Sequence, residues 1–126
     1  MSLRTPLAAA RGLGSAKEGV DHWWKQRLSA VALVPLLLWF GFSVALMGTA
    51  DYYTVVDWLA NPVNAVLMVL VLAVGFWHGA LGIQVVVEDY VATEWKKIAL
   101  IVLVQFAAVV LALAGIFAVL RIALGV

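Results

Sequence analysis

A chain of 126 residues that is 66% hydrophobic and only 12% charged is far from the roughly 45–50% apolar, 25% charged make-up of a soluble domain. A soluble fold of that length cannot hide so much apolar surface, so lipid is the solvent for much of it. The net charge of +1 comes with no basic stripe to bind nucleic acid, and the absence of cysteine excludes disulfides, thiolate metal sites and iron–sulfur ligation by this chain.

Residues 1–21 are small, polar and mildly basic, with Arg4, Arg11 and Lys17. They hold no continuous apolar core of the kind a cleaved secretory signal needs. A mitochondrial presequence also scatters arginines, but the acid-free stretch here is short and Glu18 and Asp21 close it. A flexible tail on the water side is expected, with room for a surface helix.

Three long uncharged runs follow, at residues 28–50, 63–87 and 98–120. Each exceeds the roughly 20 residues that cross about 30 Å of hydrocarbon, and none alternates as a strand would. Such runs span as helices, because every backbone polar group must find its partner inside the segment. Pro35 lies one to two turns into the first run, where a mild kink is expected. Asn61-Pro62 is a stop-and-start signal ahead of the second. The expected fold class is all-α integral membrane, a single bundle of three transmembrane helices within residues 22–126.

Arg4, Arg11, Lys17, Lys25 and Arg27 precede the first run, and Lys96 and Lys97 separate the second from the third. The stretch between the first two runs carries only Asp51 and Asp57, and Arg121 stands alone near the end. The positive-inside rule then puts the N-terminus on the cytoplasmic side, or its mitochondrial equivalent, and the C-terminus outside. Tyr52, Tyr53 and Trp58 suit the outer interface; Trp23, Trp24, Tyr90 and Trp95 suit the inner one.

The second run concentrates the chemistry. His78 is the only histidine deep in an apolar run, and an ionisable ring at such depth marks a functional site by default. At about 100° per residue, Val71, Gly75, His78, Gly82, Val85 and Asp89 share one narrow stripe. Two glycines flank the ring on its own face and admit something wide and flat. Counting back from Glu88 places the ring about 15 Å below the inner surface, near the midplane. An imidazole there suits an axial ligand of haem iron, a hydrogen bond that glues two helices, or a proton relay. Gly75, Gly79 and Gly82 favour the first reading, and Gly75-xxx-Gly79 also suits close helix packing. A six-coordinate haem needs a second ring. His22 lies before the first span and cannot easily reach the midplane, so that ligand would come from another polypeptide.

Asp89 and Tyr90, at the inner end of the second run, carry an acid and a phenol that suit a quinone carbonyl and proton transfer to water. Plain interfacial anchoring suits them as well. Arg27 opens the first run with Ser29 close behind; its guanidinium suits haem propionates or a bound head group, or phosphate anchoring by snorkelling.

His78, Gly82, Val86 and Asp89-Tyr90 together read His-x3-Gly-x3-Val-x2-Asp-Tyr. This resembles the signature of the small, cytochrome b-type membrane-anchor subunit of succinate dehydrogenase, respiratory complex II. Arg27 and Ser29, in Gln26-Arg27-Leu28-Ser29-Ala30, are similar to the arginine and small hydroxyl residue at the start of that family's first helix. The resemblance covers residues 22–120. It implies a second membrane-anchor subunit, also of three spans, with an iron–sulfur subunit and a flavoprotein subunit docked on the inner face. It also implies one haem b shared between the two anchors. On that resemblance His78 is the axial ligand of the haem iron, with Gly82 on the haem face. Arg27 lies near the propionates and the quinone pocket, Tyr90 hydrogen-bonds ubiquinone, and Asp89 is the adjacent acid. Succinate oxidation would sit on the partner subunits, so no residue of this chain is expected to be catalytic. The expected location is the bacterial cytoplasmic membrane.

Besides a plain assembly anchor with no cofactor, two further alternatives stand beside this reading. One is the anchor of a quinol:fumarate reductase, since flux direction depends on potentials set elsewhere. The other is a proton-relay or transport subunit. Against the latter, only two polar groups line one helix and no run is broken at the midplane, as many transporter sites require.

Overall fold

The structure, a computed structural model, describes residues 5–10 and 17–126. Arg4 and Arg11 of the expected tail lie outside the described residues. In chain order the elements are α1 (Pro6–Ala10), α2 (Lys17–Met47), α3 (Tyr52–Ala60), α4 (Pro62–Tyr90) and α5 (Glu94–Leu124). Among the described residues, three helices (α2, α4 and α5) are long and apolar enough to cross a membrane.

The second and third expected runs lie within α4 and α5, and the first lies within α2 as far as Met47, but most of the ends differ. Gly48, at φ +54°, closes α2 three residues before the expected limit, a conformation that favours glycine. At the other end α2 begins at Lys17, eleven residues before the expected start. α4 runs on through Glu88 and Asp89, and α5 begins before Lys96 and Lys97, so residues 91–93 alone separate them. Charge marks where hydrocarbon stops, whereas a helix stops where its backbone leaves the ladder. That happens at Val91, which is extended but still donates its N–H to the Val87 carbonyl.

The segment expected to be a bare connection between the first two spans contains α3. The Asp51 carboxylate caps it, accepting from the Thr54 N–H at 2.9 Å and the Thr54 hydroxyl at 2.7 Å. Asn61 ends α3 and caps α4 by accepting from the Val63 N–H at 2.9 Å. Pro62 then occupies the first turn of α4, where its missing N–H costs no helix bond.

α4 packs on both α5 and α2, and α3 folds against α4 and α5. The buried apolar centre sits at the α3 end of the bundle. Leu59, Ala65 and Val119 form it, bordered by Trp58, Met68, Val69, Leu72 and Ile122. Trp58 also stacks on Trp39 of α2, with centroids 5.3 Å apart. Most other large apolar side chains, such as Val31, Phe42 and Phe117, point outward, as expected where lipid or another subunit is the solvent.

Close helix approach within this chain goes through Gly115 rather than the expected Gly75-xxx-Gly79 pair. A Cβ on Gly115 would meet Leu72 Cδ1 at 3.1 Å. One on Gly75 would come no nearer than 4.0 Å to Leu33, and one on Gly79 would meet nothing within 4 Å.

Gly115→Val is expected to overpack this contact at a cost of about 1–3 kcal/mol and to lower the thermal midpoint of the detergent-solubilised chain. Gly41→Val, where an added Cβ meets nothing within 4 Å, is expected to leave the midpoint nearly unchanged. At the α3 cap, the hydroxyl and then the N–H of Thr54 hold the Asp51 carboxyl below its ordinary range. A lowered folded pKa means the cap stabilises α3 above the unfolded value and fades as pH falls through the folded one. Amide exchange at Thr54 and Val55, corrected for intrinsic rate, is expected to accelerate below about pH 4. In Asp51→Asn that pH step is expected to vanish.

Candidate functional site

His78 falls near the middle of α4, about 18 Å along the axis from Tyr90. There the helix meets Ser29 of α2. Ser29 is 2% exposed and is the most deeply buried side chain among the described residues. Its Oγ donates to the Gln26 carbonyl at 3.0 Å and lies 2.8 Å from His78 Nδ1. The helix-gluing reading of the histidine is therefore realised, but through one ring nitrogen only. Nε2 has no hydrogen-bond partner among the described residues. Beside it in sequence, Gly79 has open space where a side chain would start. The sequence pointed to Ser29 only as a companion of Arg27. No sequence signal joins the two, because a hydroxyl at the start of one apolar run and an imidazole deep in another are expected at different depths.

Toward the N-terminus of α2, His22, Trp23, Gln26 and Arg27 face Gly82 and Val85 of α4 across a groove of about 510 Å³. Gly82 lies against Gln26, whose Nε2 would sit 3.8 Å from an added Cβ, an ordinary contact. Arg27 and Gly82, both expected at the site, are thus brought together. Arg27 does not open its helix, because α2 starts ten residues earlier at Lys17. Its guanidinium stands over the Trp23 ring at 5.4 Å and makes no ion pair among the described residues.

His22 Nε2 and Gln26 Oε1 are buried without a hydrogen-bond partner. An unpaired buried polar atom costs about 1–3 kcal/mol, so this face of α2 carries bonding capacity for water, a ligand or another chain. On the neighbouring flank, Asp21, Lys25, Gln84, Glu88 and Gln105 line a second, polar groove of about 590 Å³. Two of its contacts are internal, Lys25–Asp21 at 2.8 Å and Gln84–Glu88 at 2.8 Å.

Asp89 and Tyr90 occupy the last turn of α4, at the same end as these grooves. Tyr90 is 84% exposed. Neither residue makes a hydrogen bond or ion pair among the described residues, and neither lines the groove that holds Arg27. The chain alone does not join the acid–phenol pair to the arginine. No group of three or more His, Cys, Asp or Glu gathers among the described residues.

Comparison with known proteins agrees with this architecture. The family described as succinate dehydrogenase/fumarate reductase transmembrane subunit matches residues 1–112. The succinate dehydrogenase hydrophobic membrane anchor subunit of Paracoccus denitrificans is 36% identical over 121 residues, 96% of this chain and 93% of that protein. Its counterpart in Rickettsia bellii (strain RML369-C) is 31% identical over 116 residues, 92% of this chain and 93% of that one. The succinate dehydrogenase membrane anchor subunit of Reclinomonas americana is 33% identical over 96 residues, 74% of this chain and 80% of that protein. No solved structure matches. With three apolar spans and similarity along most of its length, the chain is an integral membrane protein that belongs to the succinate dehydrogenase/fumarate reductase transmembrane subunit family.

Proposed function

We propose that this chain anchors a succinate:ubiquinone oxidoreductase in the bacterial cytoplasmic membrane, with its N-terminus on the cytoplasmic side. In this reading it supplies His78 as one axial ligand of a b-type haem and contributes Arg27, Asp89 and Tyr90 to a ubiquinone site. The observation that carries the reading is the state of the His78 ring. It sits at mid-span, hydrogen-bonded at Nδ1 and without a partner at Nε2.

The residues present fit a haem. The donor is an imidazole whose Nε2 has no partner among the described residues. A haem held there would supply a one-electron carrier within the membrane. Gly82 belongs to the same helical face as His78, and Arg27 reaches the groove that Gly82 lines, where a guanidinium suits propionate carboxylates. A second ligand would come from another membrane-anchor subunit, because His22 lies about 10 Å along α2 from Ser29 and its Nε2 is buried within this chain. The unpartnered Tyr90 and Asp89 face outward at the end of α4, where a docked iron–sulfur subunit, itself paired with a flavoprotein subunit, would close a quinone site around them. Tyr90 then donates its O–H to a quinone carbonyl, and Asp89 holds a proton near water. Lys25, Arg27, Lys96 and Lys97 cluster toward this end and Arg121 lies at the other, which supports the orientation. A proton-relay role has less support, since the one partner of His78 among the described residues is Ser29.

In the purified complex, His78→Ala is expected to abolish the reduced b-type α band while the subunits still co-purify; an unchanged band would leave the ring as helix glue only. Tyr90→Phe is expected to lower quinone reduction at least tenfold, by loss of one buried hydrogen bond of about 1.4 kcal/mol or more. Succinate oxidation with an artificial acceptor should stay at the wild-type rate, and parallel loss of both activities would indicate failed assembly.

A further inference from the structure

The hydroxyl of Ser29 touches two groups, and it has one proton to give. The Gln26 carbonyl at 3.0 Å can only accept. The His78 ring at 2.8 Å can donate or accept, according to its tautomer. If Ser29 gave its proton to the ring, its oxygen would face the carbonyl oxygen with no hydrogen between them, in a site only 2% exposed. The arrangement that satisfies every atom sends the Ser29 proton to Gln26 and has His78 donate its Nδ1–H to Ser29 Oγ. In a neutral imidazole that leaves the lone pair on Nε2.

We infer that Ser29 is the positioning residue for His78. Because its own proton goes to the Gln26 carbonyl, its oxygen is left to accept from the ring, which fixes the Nδ1–H tautomer, locks the ring plane and presents Nε2 as the donor. The inference rests on the reading of His78 as a haem ligand and assigns a role that reading did not need. Its chemistry is that of an outer partner in a ligand–metal pair. A hydrogen bond accepted from Nδ1–H raises the basicity of Nε2, strengthens its bond to a metal and favours the more oxidised, more positive ion. The geometry suits the task. Ser29 and Gln26 lie one turn apart on α2, so the acceptor is tied to helix backbone. α2 and α4 are packed together on this face, with Leu33, one turn further along α2, reaching Gly75.

The test is a redox titration of the b-type band and a measurement of haem retention in the purified complex. Ser29→Ala is expected to shift the midpoint potential upward and to weaken haem retention by roughly 10–100-fold, the range typical of a lost outer partner. Ser29→Cys, nearly isosteric but a weak hydrogen-bonding group, is expected to shift the potential in the same direction by less, and it serves where the alanine variant does not assemble. Leu33→Ala loosens the same helix pair without touching the relay and is expected to leave the potential in place. Wild-type potential and retention in the serine variants would overturn the inference. So would an equal shift in Leu33→Ala, which would make the effect one of packing. A b-type band that survives His78→Ala would overturn the haem reading itself, whatever Ser29 does.

Discussion

The hydrogen bond between Ser29 and His78 is the one polar contact that ties α2 to α4 in the interior of the spans, among the described residues. An imidazole in the middle of an apolar helix is expensive unless its nitrogens are satisfied. Ser29 satisfies one of them. Because the partner stands on the neighbouring helix, the same bond sets the register in which α2 and α4 lie side by side. From that register follow the approach of Gln26 to Gly82, the groove lined by His22, Gln26 and Arg27, and the placing of that groove on the end of the bundle that carries Asp89 and Tyr90. A polar demand made by a single ring thus organises the face that partner chains and cofactors would meet.

The two ends of the bundle are built on different physics. At the α3 end, apolar side chains close around Leu59, Ala65 and Val119, Trp58 stacks on Trp39, and Gly115 lets α5 approach Leu72. Packing of this kind, not a gain from leaving water, holds helices together in lipid. At the other end Leu81 and Val87 are buried as well, but polar atoms of His22 and Gln26 stand unpaired and charged side chains edge the grooves. One end is finished within the chain; the other carries unused bonding capacity, as a subunit that completes its site with other chains would.

The spans themselves are legible from the sequence, because twenty or more uncharged residues can do little else than cross as helices. His78 is legible for the same reason, as the exception within such a run, and the spacing from His78 to Tyr90 carries the family resemblance. How the helices meet is not legible. Lipid-facing and helix-facing surfaces are both apolar here, so periodicity says little about which side of α2 turns toward α4. Ser29 as the partner of His78, and Leu72 against Gly115, emerge only when two helices are set in register. Helix ends depart from the charge boundaries because charge marks the limit of the hydrocarbon and not of the helix, as Glu88, Asp89, Lys96 and Lys97 show. α3 escapes a sequence reading although Asp51 and Asn61-Pro62 bracket it, since its tyrosines and tryptophan also suit an unstructured interface.

The most direct measurement is a structure of the assembled complex purified from its membrane, with the atom nearest His78 Nε2 identified. The expected result is a haem iron at coordination distance from Nε2, a ligand from a second membrane-anchor subunit on the opposite face, and Nδ1 still on Ser29. An Nε2 that faces lipid or another helix, with no porphyrin beside it, would contradict the assignment.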